Sequence, residues 1–330
     1  MSRSEFDLIQ AHFMRAVKNR DDVVLGIGDD GAALKYSEKQ DLIVSIDTLV
    51  AGVHFPEPTV PQDIAHKALA VNLSDLAAMG ATPAWVTLSL TLPNADEAWV
   101  SDFCTGFFAL ADQHRVQLVG GDTTRGPLSV TVQAHGFVPT GQALRRDGAY
   151  AGDLIFVTGE LGLGGWGLAA VTQKLAPEYQ RLDHTRAIVH LNRPEPRLAV
   201  GEQLRGMASA CIDLSDGLAG DLRHILERSQ VGAVIDAEQI PLPGMYCLQG
   251  DRQQALEYAL FAGDDYELCF TVSQEKLGQL SPDHWLFSAC WPIGKITDEP
   301  GLRIKTYDSH GCSNIHTLAR SGYTHFDSAD

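Results

Sequence analysis

The sequence predicts an α+β protein of two domains. A length of 330 residues suggests two cores at about 150 residues per domain. Strand-like and helix-like segments interleave along the whole chain, and a Gly-, Ala- and Arg-rich stretch at 141–152 separates them into halves. With 45% hydrophobic and 20% charged residues the composition is that of a folded chain.

Taken in order, Ser4 followed by Asp7, with Phe6, Ile9, Phe13 and Val17 at helical spacing, predicts a capped amphipathic helix. LIVSI (42–46) predicts a buried strand, and residues 64–79 a helix with an Ile64, Ala68, Val71 stripe ended by Gly80 and Pro83. Val86, Leu88, Leu90 and Leu92 alternate with Thr87, Ser89 and Thr91, and Leu128, Val130, Val132 and Ala134 with Ser129, Thr131 and Gln133, so both segments predict half-buried strands. A helix over 96–115 and a strand over 116–120 lie between them; the first half is therefore mixed sheet and helix. After the linker, strands are expected at 153–159, at 232–236, at 266–272 and running into Asp213, with helices near 197–205 and 216–229 and strand-like pieces to the end.

Charge and cysteines narrow the function. Asp and Glu total 42 against 25 Lys and Arg, a formal charge of −17, which repels nucleic acid as a partner. Six cysteines without a C-x-x-C pair suggest neither a zinc site nor a disulfide framework. The opening MSRSEFDLIQ lacks an apolar signal core, and the most apolar stretch, 84–92, is broken by three hydroxyl residues. A cytoplasmic protein with no membrane partner is expected.

Gly162, Gly164 and Gly167 match G-x-G-x-x-G, but no βαβ context follows, so a Gly-rich turn into a helix is the better reading. No G-x-x-x-x-G-K-[ST] occurs. What stands out is a set of aspartates at the ends of elements: Asp29 and Asp30, Asp47, Asp75, Asp122, Asp213 and Asp216. Each has an ordinary reading as a turn or cap residue. Asp75 is harder to explain that way, because a carboxylate in a last helical turn faces the negative end of the helix dipole. Two charges 4 Å apart repel by about 4 kcal/mol at an effective dielectric of about 20. Convergence of several would require a divalent cation, and Mg²⁺ prefers carboxylate oxygen, water and substrate phosphates. The residues thus suggest a magnesium–phosphate site without a Walker loop.

GIGDDGAAL (26–34), SIDTLVAGVHF (45–55), AVNLSDLAAMGATP (70–83), VGGDTTRGPLSVTV (119–132), CIDLSDGL (211–218) and AGDDYEL (262–268) follow one another in an order that resembles the thiamine-monophosphate kinase family over nearly the full length. Its superfamily includes aminoimidazole ribonucleotide synthetase, selenophosphate synthetase and a hydrogenase maturation protein. The resemblance implies a dimer-forming N-terminal domain of mixed sheet and helices and a C-terminal α/β sandwich-like domain. The first (1–148) would bind Mg-ATP and pair with a second copy; the second (149–330) would complete the nucleotide and acceptor site. It implies ATP and thiamine monophosphate as partners, direct phosphoryl transfer giving thiamine diphosphate, several Mg²⁺ ions, and no catalytic protein nucleophile. Carried over by position, the metal ligands are Asp30, Ser45, Ile46, Asp47, Asp75, Asp122, Asp213 and Asp216. The ATP contacts are Gly121, Asp122, Arg146 and Ser215, and the thiamine-side contacts His54, Asp264 and Tyr323. Ile46 stands where Thr is frequent and ligates only through its carbonyl; Asp264 replaces a usual Glu, shortening the reach by one methylene. His54 also reads as a strand-end histidine, Tyr323 as a packed tail aromatic, and Arg145 or Arg146 as linker charges. Alternative functions are another acceptor for the same Mg-ATP cleft, or nucleotide binding without turnover.

Overall fold

Register and alternation, more than any single motif, position the functional residues. The structure, a computed structural model, describes residues 9–14, 20–27, 30–244, 252–308, 310–320 and 322–323. It divides into two compact units, one comprising the chain up to Leu76 with Ala81–Ala143, the other Ala77–Gly80 with Leu144–Asp330.

In the first unit a two-stranded ribbon of β1 (Val23–Leu25) and β2 (Ala33–Leu34) precedes a four-stranded sheet. The sheet comprises β3 (Gln40–Val50), β4 (Thr82–Leu92), β5 (Gln117–Arg125) and β6 (Ser129–Pro139), ordered β3-β6-β4-β5. It is mixed: β6 runs antiparallel to β3 and β4, and β4 parallel to β5. Val86, Leu88 and Leu90 of β4 and Val130, Val132 and Ala134 of β6 are buried on one face, as the alternation predicted. Helices α1 (Pro61–Ala78) and α2 (Glu97–Gln113) supply Ile64, Ala68, Phe103 and Phe107 to the core. Asp96 caps α2, accepting the backbone N–H groups of Ala98 and Trp99.

Three expectations change. Of the N-terminal helix, a π-helical turn at Ile9–Phe13 is seen, and Ser4, Phe6, Asp7 and Val17 lie outside the described residues. LIVSI is not a buried strand: β3 is a sheet edge, with Leu42, Val44 and Ile46 exposed at 45%, 48% and 60%. A mostly apolar run cannot by itself distinguish a buried strand from one whose second face awaits a partner. Finally, β3 and β5 extend past 46 and 120, because the long β4 and β6 keep pairing with them, so Asp47 and Asp122 lie within strands and not at their ends.

The second unit holds a seven-stranded sheet, ordered β13-β12-β9-β11-β7-β10-β8. Its strands are β7 (Leu154–Val157), β8 (Ala210–Asp213), β9 (Gly232–Asp236), β10 (Leu268–Val272), β11 (Trp291–Thr297), β12 (Gly301–Tyr307) and β13 (Ser313–Thr317). All pairs are antiparallel except β9 with β12. Among its helices are α3 (Leu163–Val171), α4 (Thr185–Asn192), α5 (Leu198–Leu204), α6 (Leu218–Ser229) and α7 (Arg252–Phe261). Leu222 and Ile225 of α6 share one core with Ile155, Ile212, Ile235 and Ile293 of the sheet.

Gly106 marks the tightest helix approach in the first unit, since a Cβ there would lie 2.1 Å from the Gln62 carbonyl oxygen. Gly106→Ala should therefore destabilise the protein by about 1–3 kcal/mol in denaturant titration, as overpacking does. Gly278→Ala, where a Cβ meets nothing within 4 Å, should not.

Candidate functional site

In the first unit the α1 carboxylate that the helix dipole disfavours has a local partner: Ser45 on β3 donates its hydroxyl to Asp75. Ser45 and Asp47 are two apart on one strand and so share a face. That face is the inner one, because Asp47 pairs with Val132, which pairs with the buried Leu88. Just past β3, His54 closes a turn: its Nδ1 accepts the Val50 N–H at 3.0 Å. The ammonium of Lys67, 2% exposed, donates to the His54 carbonyl at 3.1 Å. His54 is thus a half-buried strand-end histidine held from both sides.

Asp122 lies elsewhere. It pairs with Ser89, which pairs with Thr131, which pairs with Thr48; directly opposed residues share a face, so Asp122 is on the outer face, opposite to Asp47. Strands β3 and β5 are the two edges of the sheet, three strand spacings or roughly 14 Å apart. Within one chain the sheet therefore separates Asp47 from Asp122. Gly121 must be glycine, since a Cβ would fall 1.9 Å from the Leu88 carbonyl oxygen. Gly120, Gly121 and Asp122 line a shallow cleft with Phe13, Ile27 and Leu118. Asp30 is exposed beyond β1, while Gly28 and Asp29 lie outside the described residues. Ile46 turns its side chain outward.

In the second unit the sequence-predicted residues do come together. The β8–β10 ladder, which ends at Asp213 opposite Leu268, continues into two loops. Leu214 N–H donates to Glu267 O (2.8 Å), Tyr266 N–H to Leu214 O (2.8 Å), and Asp264 N–H to Ser215 O (2.9 Å). Tyr323 N–H reaches Asp216 O at 3.0 Å. Asp213, Ser215, Asp216, Asp264 and Tyr323 are thereby fixed around one backbone framework, with the Tyr323 ring half exposed. Asp264 and Tyr266 adopt left-handed φ of 68° and 51°, strain of about 1–3 kcal/mol each that such loops tolerate at functional positions. Gly217, not Asp216, occupies the N-cap of α6, so Asp216 is not spent on capping. Of the linker arginines, Arg145 forms a surface ion pair with Asp147 at 2.5 Å, whereas the charge of Arg146 acts on Asp221.

Asp221 itself was missed in the sequence. It is buried, its carboxylate accepts the Asp216 N–H at 3.0 Å, and burial, then the nearby Asp213, pushes its carboxyl well above the usual range. The available signal was its place beside Leu222 on the apolar stripe of α6. Asp265 was also missed. It accepts the N–H groups of Gly162 (2.7 Å) and Gly164 (3.1 Å), so the N-terminus of α3 is satisfied by a carboxylate of the chain itself. The G-x-G-x-x-G segment is accordingly a turn into a helix, and β7 pairs antiparallel with both neighbours, as no dinucleotide-binding βαβ unit does.

Among the described residues no group of three or more His, Cys, Asp or Glu side chains is placed to hold a metal ion by itself. The donor set is nonetheless the hard oxygen type that suits Mg²⁺, which is usually held by one or two carboxylates together with substrate phosphates and water. No helix among the described residues is long and apolar enough to cross a membrane.

Two units, one built on a mixed four-stranded sheet and one on a larger sheet with a carboxylate-bearing loop pair, define a class. Residues 28–138 match the family described as AIR synthase related protein, N-terminal domain, and residues 150–306 its C-terminal domain. The thiamine-monophosphate kinase of Salmonella typhimurium is 51% identical over 280 residues, 85% of this chain and 86% of that one. That of Haemophilus influenzae is 42% identical over 327 residues, 99% of each. Among solved structures, the Stenotrophomonas maltophilia thiamine-monophosphate kinase superposes with a TM-score of 0.82 at 48% identity, covering 92% of this chain and 97% of that one. AaThiL complexed with AMPPCP and TMP does so with 0.75 at 29% identity, covering 97% and 96%. The chain belongs to the AIR synthase related family and, within it, to the thiamine-monophosphate kinases.

Burial pushes the Asp265 carboxyl up to about 8, against about 3.9 in an unfolded chain. Between those values the folded state holds a proton the unfolded state lacks, so this group's contribution falls as pH rises from about 4 to about 8. Asp265→Asn should flatten that slope in urea titrations. Asp265→Ala, which strands two backbone N–H groups, should cost about 1–3 kcal/mol for each.

Proposed function

We propose that this protein transfers the γ-phosphoryl group of ATP to the phosphate of thiamine monophosphate, giving thiamine diphosphate and ADP. The observation that carries the reading is the assembly of Asp213, Ser215, Asp216, Asp264 and Tyr323 on one backbone framework, in a chain whose close relatives carry that name. A phosphate oxygen of the acceptor attacks the γ-phosphorus as the bond to the β–γ bridging oxygen breaks, and ADP leaves. The attacking group is already an oxyanion near neutral pH. No protein base and no phosphoenzyme are needed, so positioning and charge neutralisation carry the rate.

Each residue then has a role. Residues 1–148 supply the metal ligands Asp30, Ser45, the Ile46 carbonyl, Asp47, Asp75 and Asp122, and the backbone of Gly121 for nucleotide. The linker supplies the Arg146 fork for phosphate, and residues 149–330 supply Asp213 and Asp216 for metal, Ser215 for phosphate, and Asp264 and Tyr323 for the thiamine rings, which His54 of the first unit also contacts. Bound Mg²⁺ would neutralise the phosphate and carboxylate charges and lower the barrier by that amount. We place the enzyme in the cytoplasm.

The protein acts as a homodimer in this reading. An edge strand with Leu42, Val44 and Ile46 exposed is a ready template for pairing, and its occupant is the β5 edge of a second copy. That pairing sets the strand that carries Asp122 of one copy next to the strand that carries Asp47 of the other, strands that a single sheet keeps at opposite edges.

Incubation with ATP, Mg²⁺ and thiamine monophosphate should yield thiamine diphosphate and ADP in equal amounts by chromatography, with free thiamine a poor acceptor because it lacks the phosphate the site pairs. ADP without thiamine diphosphate would overturn the acceptor. Ile46→Lys should give a folded monomer in sedimentation; an unchanged dimer would place the interface elsewhere.

A further inference from the structure

The ribbon that carries Asp30 is small. β1 and β2 pair at Val23 with Leu34 and at Leu25 with Ala33, and an isolated two-stranded ribbon is marginally stable at best. Its position must come from anchors, and the structure shows a dense set at its base. The Asp22 carboxylate accepts the Trp85 indole N–H at 3.0 Å and is clasped by the Arg20 guanidinium, Nε to Oδ1 at 2.9 Å and Nη2 to Oδ2 at 2.8 Å. The same guanidinium reaches the Arg115 carbonyl at 3.2 Å, and the Arg20 N–H donates to the Gln117 side chain at 2.9 Å. Asp22 O accepts the Lys35 N–H at 2.8 Å, closing the ribbon behind β2. Val23 and Leu34 pack on Trp85, Val119 and Phe137. Partial burial would raise the Asp22 carboxyl, but Arg20 and Trp85 outweigh it and hold it below the usual range.

We infer that the Asp22–Trp85 bond, braced by Arg20, positions the ribbon so that Asp30 reaches the metal site. Asp22 touches neither metal nor substrate in this account; it acts through the loop between β1 and β2. The inference rests on the reading of Asp30 as a metal ligand. Trp85 lies on β4 between the two edges of the sheet, so the latch references Asp30 to the strands that carry the other ligands of this unit. A full carboxylate is required on Asp22, because two partners claim both its oxygens.

The test compares Trp85→Phe, which keeps the ring and removes the N–H, with Asp22→Asn, Asp22→Glu and Asp30→Asn in the full-length protein. Mn²⁺ binding is followed by electron paramagnetic resonance with a nonhydrolysable ATP analogue present, and hydrogen exchange of the Val23–Leu34 segment by mass spectrometry. Trp85→Phe and Asp22→Asn should each weaken Mn²⁺ binding about 10-fold, the lower end for groups standing behind a ligand, and speed exchange in the segment. The urea midpoint should stay near that of the parent, and the double variant should be no worse than the poorer single one, since both break the same bond. Asp22→Glu should restore part of the affinity. If Asp30→Asn weakens Mn²⁺ binding while the latch variants leave binding and exchange unchanged, the latch is overturned. Where Asp30→Asn itself has no effect, the metal-ligand reading fails first and the inference with it.

Discussion

The register of the four-stranded sheet is the constraint on which the remaining assignments depend. Because β3 and β5 are its two edges, the carboxylates they carry are kept roughly 14 Å apart and on opposite faces. This separation has a stabilising side. Placed 4 Å apart in one chain, Asp47 and Asp122 would repel by about 4 kcal/mol at an effective dielectric of about 20, a large fraction of the whole stability of a domain. The sheet avoids that cost in the single chain. In the proposed dimer the two edge strands would become neighbours, and metal and phosphate would balance the charge gathered there. The apolar outward residues of β3, with Ile46 the most exposed of the three at 60%, would supply the apolar contact for such an association.

The second unit solves a different problem: how to hold several polar loops rigidly with little core of their own. Its answer is to prolong the β8–β10 ladder past the strand ends, so that backbone hydrogen bonds, joined by the Asp221 carboxylate on the Asp216 N–H, fix Ser215, Asp216 and Asp264. The close approaches require glycine, as at Gly263 and Gly322, where a Cβ would fall 2.0 and 2.1 Å from the carbonyl oxygens of Ser215 and Asp216. Asp265 and Glu267 alternate with Asp264 on the buried side, where Glu267 accepts from Arg197 and Thr158 and Asp265 caps α3. A run of acidic residues is thus divided by alternation between structure and function.

Much of this was legible in the sequence. The strict alternation of Val86–Leu92 and Val130–Ala134 specifies both a strand and its buried face, and Asp213 and Asp216 stand out as carboxylates at the ends of elements, whereas Asp264 enters only through the family resemblance. What sequence could not supply was pairing. LIVSI has the same letters whether its outer face meets a helix or a second copy, and nothing local distinguishes the edge β3 from a central strand. The roles of Asp221, Asp265 and Asp22 depend on donors 5, 101–103 and 63 positions away, beyond any periodicity. The G-x-G-x-x-G segment illustrates the converse, since the same glycines that suit a pyrophosphate also let an aspartate approach a helix N-terminus.

Mixed dimers test the central claim most directly. Asp47→Asn and Asp122→Asn chains, each inactive alone, are unfolded together, refolded as a mixture and assayed for thiamine diphosphate formation. If the two aspartates meet across the interface, half of the dimers are mixed and each has one site with both carboxylates intact, so roughly a quarter of parental activity returns. If instead each chain assembles its ligands by itself, every site carries a lesion and no activity returns, which would contradict the account.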